Sequence, residues 1–380
     1  MKTNIPERIA ALREAMRQQK VDAYIIPSSD PHLSEYPADR WKSREWISGF
    51  TGSAGTIVVT ADKAGLWTDS RYFLQAASQL EGSGIELYKL ALPETPSITE
   101  FLLHELHAGQ AVGLDGQTYS AAEASALANK LSRKEIKLDT SADLIEGIWK
   151  DRPAVPGNPI FEMPEALSGA SVHEKLDLIN NQLRSEGADC LILAALDEIA
   201  WTFNIRGTDV TYNPVVVSYA FVSEDESVLF IKPEKLTAEI TEHLKKEGVT
   251  LAEYSMIQRY LSRLPENSRV FVDMNKTNVS LYDAIPGNCT IVEGISPANH
   301  LKSIKNETEI KGFQNAVVKD GVALTKFYIW LEKQMAEGTQ VTEISAAEKL
   351  TALRAEQPQY IMDSFGTICG YAEHGAIVHY

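Results

Sequence analysis

The chain has little cysteine and a deficit of positive charge. Its 380 residues include 3 cysteines, at the distant positions Cys190, Cys289 and Cys369. Such an odd, scattered set excludes a disulfide framework and a Cys-x-x-Cys metal knuckle, and it is typical of the reducing cytoplasm. With 36 Lys and Arg against 52 Asp and Glu, the net charge is -16. A nucleic-acid partner needs a basic surface, so it is excluded, and an anionic membrane is an equally poor partner.

The chain also lacks a long apolar run. Spanning a bilayer takes ~20 consecutive apolar residues, and no stretch approaches this length. Residues 5–19 read as a mixed polar helix rather than the apolar core of a secretory signal. The composition, 44% apolar and 23% charged, is that of a folded globular protein, and 380 residues predict two or three domains. We therefore expect a water-soluble cytoplasmic protein.

Several familiar catalytic and ligand-binding motifs are missing. No HExxH motif and no Ser/His/Asp set is present. The spacing of Gly49, Gly52 and Gly55 is GxxGxxG before a strand, not a dinucleotide fingerprint, so we predict a tight turn there. His104 and His107 stand three apart on a predicted helix, but no carboxylate or cysteine pattern completes a zinc site, and we predict a surface position. We also predict exposed positions for His32 and His173.

A helix followed by a buried strand occurs twice. Residues 5–19 have Ile9, Leu12 and Met16 on one face, and the apolar run 23–26 follows. In the second half, Ser171 and Glu174 form a capping box before an apolar stripe, and 189–193 is the corresponding strand. Both copies continue through a Trp-containing segment into a hairpin, 56–68 in the first and 215–231 in the second. The pattern predicts a duplicated α/β domain.

Proline and helix signals divide the chain. Residues 151–159 contain three prolines and a glycine and read as a linker. A second boundary is predicted at Ser296-Pro297. Beyond it, Asn306 and Glu309 begin a long helix that ends at Gly338, and a further helix is predicted over 342–356. The predicted domains are 1–153, 154–300 and 301–380, the last being incomplete.

Three further segments are candidates for chemistry. Arg71 ends an apolar strand, where it could bind a substrate carboxylate or form an ion pair with Asp69 or Glu35. Asp197 and Glu198 are paired carboxylates for which domain packing is favoured over acid–base work. Residues 373–380 are predicted as a turn and an apolar strand that carries His379, a possible proton carrier or hydrogen-bond donor.

A family resemblance is carried by segments spread along the whole chain, in the family's order. They are AYIIPSSDPH at 23–32 with Ser34-Glu35-Tyr36, SGFTGSAGT at 48–56, LWTDSRYF at 66–73, LDEIAWTFNIRG at 196–207, YNPV at 212–215, TEISAA at 342–347 and GAIVHY at 375–380. Together they resemble the aminopeptidase P (Xaa-Pro aminopeptidase) branch of the creatinase-like metallopeptidases, in its long three-domain cytosolic form.

The resemblance implies an α/β architecture with two creatinase-type N-terminal domains, each a mixed sheet with flanking helices, and the first part of an α+β "pita-bread" catalytic domain. It implies release of an N-terminal residue from peptides with proline second, two divalent metal ions (manganese), and a homodimer. His379 is implied as the catalytic histidine that contacts substrate. Arg71 and His374 are the other substrate-binding candidates.

The resemblance also implies that something is missing. The family's metal ligands are two aspartates, a histidine and two glutamates, and all of them correspond to positions after Tyr380. No metal ligand is therefore assigned, and we expect an inactive N-terminal fragment of a longer enzyme. The apolar side of the long helix and the last strand are expected to be exposed. The alternatives are a metal-free peptide-binding or protein-binding module of the same architecture and, more weakly, a creatine-type amidinohydrolase.

Overall fold

Two similar sets of helices and strands follow one another in a computed structural model that describes residues 5–376. Its helices are α1 (Ile5–Gln19), α2 (Ser43–Ser48), α3 (Phe73–Gln79), α4 (Ile98–Glu105), α5 (Ala121–Ser132), α6 (Leu144–Ile148), α7 (Glu165–Ser168), α8 (Val172–Glu186), α9 (Leu196–Thr202), α10 (Ala238–Lys246), α11 (Ile257–Leu261), α12 (Val279–Tyr282), α13 (Pro297–Ser303), α14 (Glu307–Ala336) and α15 (Glu343–Ala355).

The strands are short. They are β1 (Ala23–Ile26), β2 (Thr56–Thr60), β3 (Ala64–Thr68), β4 (Glu86–Lys89), β5 (Ala111–Leu114), β6 (Lys137–Asp139), β7 (Phe161–Glu162), β8 (Cys190–Leu193), β9 (Ile205–Arg206), β10 (Ser218–Ser223), β11 (Ser227–Ile231), β12 (Val249–Ala252), β13 (Arg269–Val272) and β14 (Thr290–Glu293). We call the elements α1–α6 with β1–β6 the first repeat, and α7–α13 with β7–β14 the second repeat.

The two main sheets have the same topology. Within the described residues, one six-stranded sheet has the order β4-β3-β2-β1-β5-β6 and the other has the order β12-β11-β10-β8-β13-β14. In each, the three central antiparallel strands are flanked by parallel strands at both edges. Strands β7 and β9 form a separate two-stranded sheet. The predicted duplicated α/β fold with mixed sheets is confirmed.

Apolar side chains cover both faces of each sheet. In the first repeat, one face packs against the buried stripe of α1, and the other packs against α4 and α5. In the second repeat, α8 and α10 cover one face while α11 and α12 cover the other. The capping box predicted for α8 is present, with the Ser171 hydroxyl accepting from Glu174 N–H. Local signals and the core therefore agree in these helices.

The last part of the chain is helical. Helix α14 begins at the Asn306–Glu309 capping box, and Gly338 follows its end with a φ of 69°, both as predicted. The predicted helix over 342–356 is observed as α15. Residues 372–376 form a 3₁₀ helix, and the predicted strand at 376–380 lies outside the described residues, except for Ala376.

Helix α14 leaves much of its apolar side uncovered. Ala323 is buried, but a series of larger apolar residues is exposed to solvent. They are Ile310, Phe313, Val317, Val318, Val322, Tyr328, Ile329 and Met335. The predicted exposure of this helix is confirmed, whereas its proposed cause stays a prediction. In residues 5–376, no helix is both long and apolar enough to cross a bilayer.

Candidate functional site

Three loops of the first repeat, which follow β1, precede β2 and follow β3, meet at one edge of the sheet. Strand β1 ends there at Ile26, β2 begins after the 52–55 turn, and β3 ends at Thr68. Side-chain hydrogen bonds join these loops: the Ser28 hydroxyl donates to Gly55 O at 2.7 Å, and the Thr68 hydroxyl donates to Ala54 O at 2.6 Å. The edge is therefore a fixed polar surface rather than a set of independent loops.

The glycine segment is the tight turn that the sequence predicted. A Cβ atom on Gly52 would lie 2.3 Å from the Phe50 ring and 2.6 Å from the Tyr72 ring. Gly49 has a φ of 71°, which disfavours other residues. The buried guanidinium of Arg44 holds the turn by donating to Phe50 O and Gly52 O, and its Nε donates to the Ser28 hydroxyl at 2.9 Å. Burial lowers the pKa of Arg44 to about 10.

Arg71 is paired with its neighbour Asp69 and is not buried. Its Nε and Nη2 donate to the two carboxylate oxygens of Asp69, each at 2.8 Å. The bidentate contact lowers the pKa of Asp69, and the Arg71 side chain remains 43% exposed. The ion pair considered from the sequence is therefore present, with Asp69 as the partner.

Arg71 lines a groove of about 530 Å³. Its walls include Ser28, Ser29, Glu35 and Glu123 of the first repeat and Asn275 of the second. A smaller cavity of about 190 Å³ lies nearby and is lined by residues of both repeats, including Trp41 and Tyr212. These surfaces offer hydrogen-bond donors and acceptors to a bound molecule.

His32 is the main site residue that sequence reasoning misjudged. The predicted surface position is wrong: the imidazole is 1% exposed and lies between the repeats. Its Nδ1 is 2.8 Å from Ala194 O and its Nε2 is 2.9 Å from the Tyr254 hydroxyl. The ring also packs at 4.4 Å from the ring of Tyr219. Burial lowers the pKa of His32 to about 3, so the ring is neutral. By contrast, His173 is exposed, as predicted.

Two carboxylates lie near this histidine contact. Asp30 is fully buried and accepts from the backbone N–H groups of His32 and Ser34, each at 2.9 Å. Burial raises the pKa of Asp30. Burial and the neighbouring carboxylate of Asp143 raise the pKa of Asp115, which follows β5. The residues after β1 and β5 thus place acidic groups at the contact between repeats.

In the second repeat, Asp197 stands at the position that corresponds to Asp30, but its contacts differ. Asp197 pairs with Lys302, and the buried carboxylate of Glu198 accepts from the Asn299 side chain at 3.2 Å. Both partners belong to α13. Burial raises the pKa of Glu198. The packing role favoured by the sequence is consistent with these contacts.

His374 is held by a carboxylate of α15. Its Nδ1 lies 2.9 Å from Glu343 Oε2, and the other oxygen of Glu343 accepts from Tyr371 N–H at 2.6 Å. The Glu343 carboxylate raises the pKa of His374. His379, the predicted catalytic residue, lies outside the described residues. Arg71 and His374 therefore have separate partners, and their substrate roles stay predictions.

No metal-binding cluster occurs in the part of the chain that the structure describes. Across residues 5–376, no three His, Cys, Asp or Glu side chains are placed to hold one ion. His104 and His107 are both exposed, as predicted, but His107 follows the end of α4 at Glu105, so the predicted common helix is wrong for His107. The side chains of residues 5–376 thus do not fit a two-metal centre.

The duplicated mixed sheets and the polar groove define a tandem α/β protein with a further helical region. The family described as the creatinase/prolidase N-terminal domain matches residues 8–148, and a second model with the same description matches residues 151–309. The chain belongs to this family.

Longer relatives extend the resemblance. The probable Xaa-Pro aminopeptidase P of Laccaria bicolor is 39% identical over 99% of this chain and 59% of its own length. Aminopeptidase P2 of Arabidopsis thaliana is 36% identical over 100% of this chain and 58% of its own. The predicted resemblance to Xaa-Pro aminopeptidases is thus confirmed, and the chain spans less than two thirds of the length of these relatives.

A solved structure shows the same fold. X-prolyl aminopeptidase from Caenorhabditis elegans, described as a cytosolic enzyme with a di-nuclear active site, matches with a TM-score of 0.94 and 30% identity. The match covers 100% of this chain and 64% of that one. The predicted architecture, two creatinase-type domains and a pita-bread-like part, is confirmed by this agreement.

Proposed function

We propose that this chain provides the two N-terminal domains, 1–153 and 154–300, and the beginning of the catalytic domain, 301–380, of a cytoplasmic Xaa-Pro aminopeptidase. The substrates are peptides with proline in second position, and the active form is a homodimer that uses two divalent ions, manganese by resemblance. The observation that supports this proposal is the similarity of the whole chain to a solved X-prolyl aminopeptidase, at a TM-score of 0.94.

A second part of the proposal concerns the catalytic activity of residues 1–380 and the residues that contact substrate. The resemblance assigns the family's five ligands to positions after Tyr380, so we propose that residues 1–380 alone do not hydrolyse peptides. In the longer protein, His379 contacts substrate in the active site, and His374 and Arg71 contribute to peptide binding. Exposure supports the part played by Arg71, since 43% of its side chain is accessible beside the groove.

Peptide turnover tests the proposal. Residues 1–380 and the product of the uninterrupted reading frame would be incubated with Mn²⁺ and two tripeptides that differ only in proline or alanine at the second position. We expect turnover of the proline peptide by the longer product alone. Binding without turnover by the longer product would favour the metal-free binding module. Cleavage by residues 1–380 would contradict the proposed inactivity, and equal cleavage of both peptides would contradict the specificity.

The role of Arg71 has a matched control. We expect Arg71→Ala in the longer product to raise KM about tenfold with a small change in kcat, because one ionic contact to substrate is removed. Arg17→Ala removes another exposed arginine that pairs with a carboxylate, Glu14 on α1, and should leave KM unchanged. An unchanged KM in Arg71→Ala would show that its pair with Asp69 is structural only.

A further inference from the structure

The two repeats meet through two equivalent segments. Each segment runs from the end of a central parallel strand into a helix: 115–122 joins β5 to α5, and 273–280 joins β13 to α12. Ser120 and Asn278, the residues just before the two helices, face each other in an antiparallel bridge. Both are buried, at 3% and 1% exposure.

Backbone hydrogen bonds cross this contact in reciprocal pairs. Ala121 N–H donates to Thr277 O at 2.9 Å, and Val279 N–H donates to Tyr119 O, also at 2.9 Å. In one bond the first repeat is the donor and the second repeat is the acceptor, and in the other bond these roles are reversed. Each donor is the first residue of its helix.

The next residue of each helix repeats the exchange. Ala122 N–H donates to Met274 O at 3.0 Å, and Ser280 N–H donates to Gly116 O at 3.1 Å. A contact in which equivalent groups swap roles is isologous, the type that joins identical subunits about a twofold axis.

The contact completes both helix N-termini. A helix leaves its first N–H groups without intrahelical acceptors. Here the Ser120 hydroxyl accepts from Glu123 N–H, and the Asn278 side chain accepts from Leu281 N–H. The carbonyl groups of the opposite repeat accept from the two preceding residues. Separation of the repeats would therefore expose buried donors on both sides at once.

Close approach adds a steric requirement on one side. A Cβ atom on Gly116 would lie 2.6 Å from Thr140 O and 2.7 Å from the Ser280 hydroxyl. A larger residue at position 116 would therefore collide with the backbone of the first repeat and with a side chain of the second.

His32 makes the contact specific for the second repeat. The loop after β1 places this ring against Tyr219 and Tyr254, and Pro31 O accepts from the Asn278 side chain at 2.7 Å. In the matching sheet registers, the place of Tyr219 on β10 is taken by Thr56 on β2. The first repeat therefore lacks the aromatic ring against which His32 packs, and a second copy of the first repeat would not reproduce this contact.

We propose that the segments 115–122 and 273–280 form an isologous docking surface that makes the two repeats one cooperative folding unit. The second repeat occupies the place that a second copy of the same domain would take, and His32 selects it. This inference does not depend on the proposed peptidase function, because it concerns residues 5–303 in any activity state.

Hydrogen exchange on the unmodified chain tests the proposal first. We expect peptides covering 119–123 and 277–281 to exchange as slowly as those of β1 and β8, because their amides open only with global unfolding. A peptide covering the start of α10 at exposed Ala238 is the reference for an open helix N-terminus. Exchange of the two interface peptides at the rate of the α10 peptide would overturn the proposal.

Proline substitutions test cooperativity. Proline suits the first position of a helix but has no N–H, so Ala121→Pro and Val279→Pro each delete one crossing bond while keeping the helix. Ser120 and Asn278 already have extended ψ angles of 151° and 155°, which a following proline requires. Ala238→Pro, at the exposed first position of α10, is the matched control.

Pulse labelling during urea unfolding would report each repeat separately, through peptides of β1 and β8. We expect one shared midpoint in the parent and in Ala238→Pro, and midpoints separated by about 0.5 M or more in both interface variants. Two midpoints in the parent, or one unchanged midpoint in both interface variants, would overturn the proposal. If an interface variant does not fold, the exchange rates of the unmodified chain decide.

Discussion

At the scale of single residues, His32 shows what sequence alone could not reveal. Its partners, Ala194 and Tyr254, are far away in the chain and belong to the other repeat. A histidine after Asp30-Pro31 carries no local signal of burial, so the exposed position was the reasonable expectation. The ion pair of Arg71 was easier to predict, because Asp69 is a near neighbour in the chain and both residues follow the end of an apolar strand.

The first prediction concerns the pH dependence of stability. The pKa of His32 is about 3 in the folded protein against an ordinary value of 6.5. Between these values the unfolded chain binds a proton that the folded protein does not. The contribution of the neutral His32 ring to the free energy of unfolding is therefore complete above pH 6.5 and is lost as pH falls towards 3.

We expect His32→Gln to lower the free energy of unfolding at pH 7 by about 2 kcal/mol, since a buried hydrogen-bonded ring is lost. The difference from the parent should shrink by ~1.4 kcal/mol per pH unit below 6.5. Urea unfolding at several pH values measures both. His173→Gln, on the exposed side of α8, is the control and should stay within about 0.5 kcal/mol. A difference independent of pH would contradict the neutral buried state.

The second prediction concerns Arg71. Its bidentate pair with Asp69 is partly exposed, and such pairs contribute at most about 1 kcal/mol. Arg71→Ala should therefore leave the urea midpoint of residues 1–380 almost unchanged, as should Arg17→Ala. A large loss of stability in Arg71→Ala alone would mean that the arginine is structural, and a change in KM could not then be assigned to peptide binding.

At the scale of elements, helices with strong local signals were predicted well. The capping boxes at Ser171 and Asn306 and the glycine at 338 mark ends that depend on nearby residues only. The short edge strand β6 has no such signal, because Lys137–Asp139 is partly exposed and gains its backbone hydrogen bonds from β5. Parallel strands of this kind depend on contacts that are distant in sequence.

Limited proteolysis tests the exposure of α14. This helix presents Phe313 and Val317 to solvent at 60% and 71% exposure, so it has little packing energy to resist local opening. We expect trypsin to cut first within 304–376, at sites such as Lys311 and Lys326, and to leave a stable product near residues 5–303. Lys175 of α8 is buried and should resist cleavage. Early cleavage in α8, or resistance of α14, would contradict this account.

At the scale of the whole molecule, duplication is the organising feature. The repeated helix–strand pattern at 5–26 and 172–193 was sufficient to predict two similar domains. It could not predict how they meet, because the crossing bonds at Ser120 and Asn278 involve backbone groups that any sequence possesses. The domain boundaries at 153 and 300 remain predictions, as does the place of His379.

The proposal that this chain is part of a two-metal aminopeptidase is tested most directly by reading the gene beyond codon 380. We expect a continuing frame that supplies two aspartates, a histidine and two glutamates in that order. A frame that stops, or that continues without this series, would contradict the peptidase assignment and favour a peptide-binding module of the same fold.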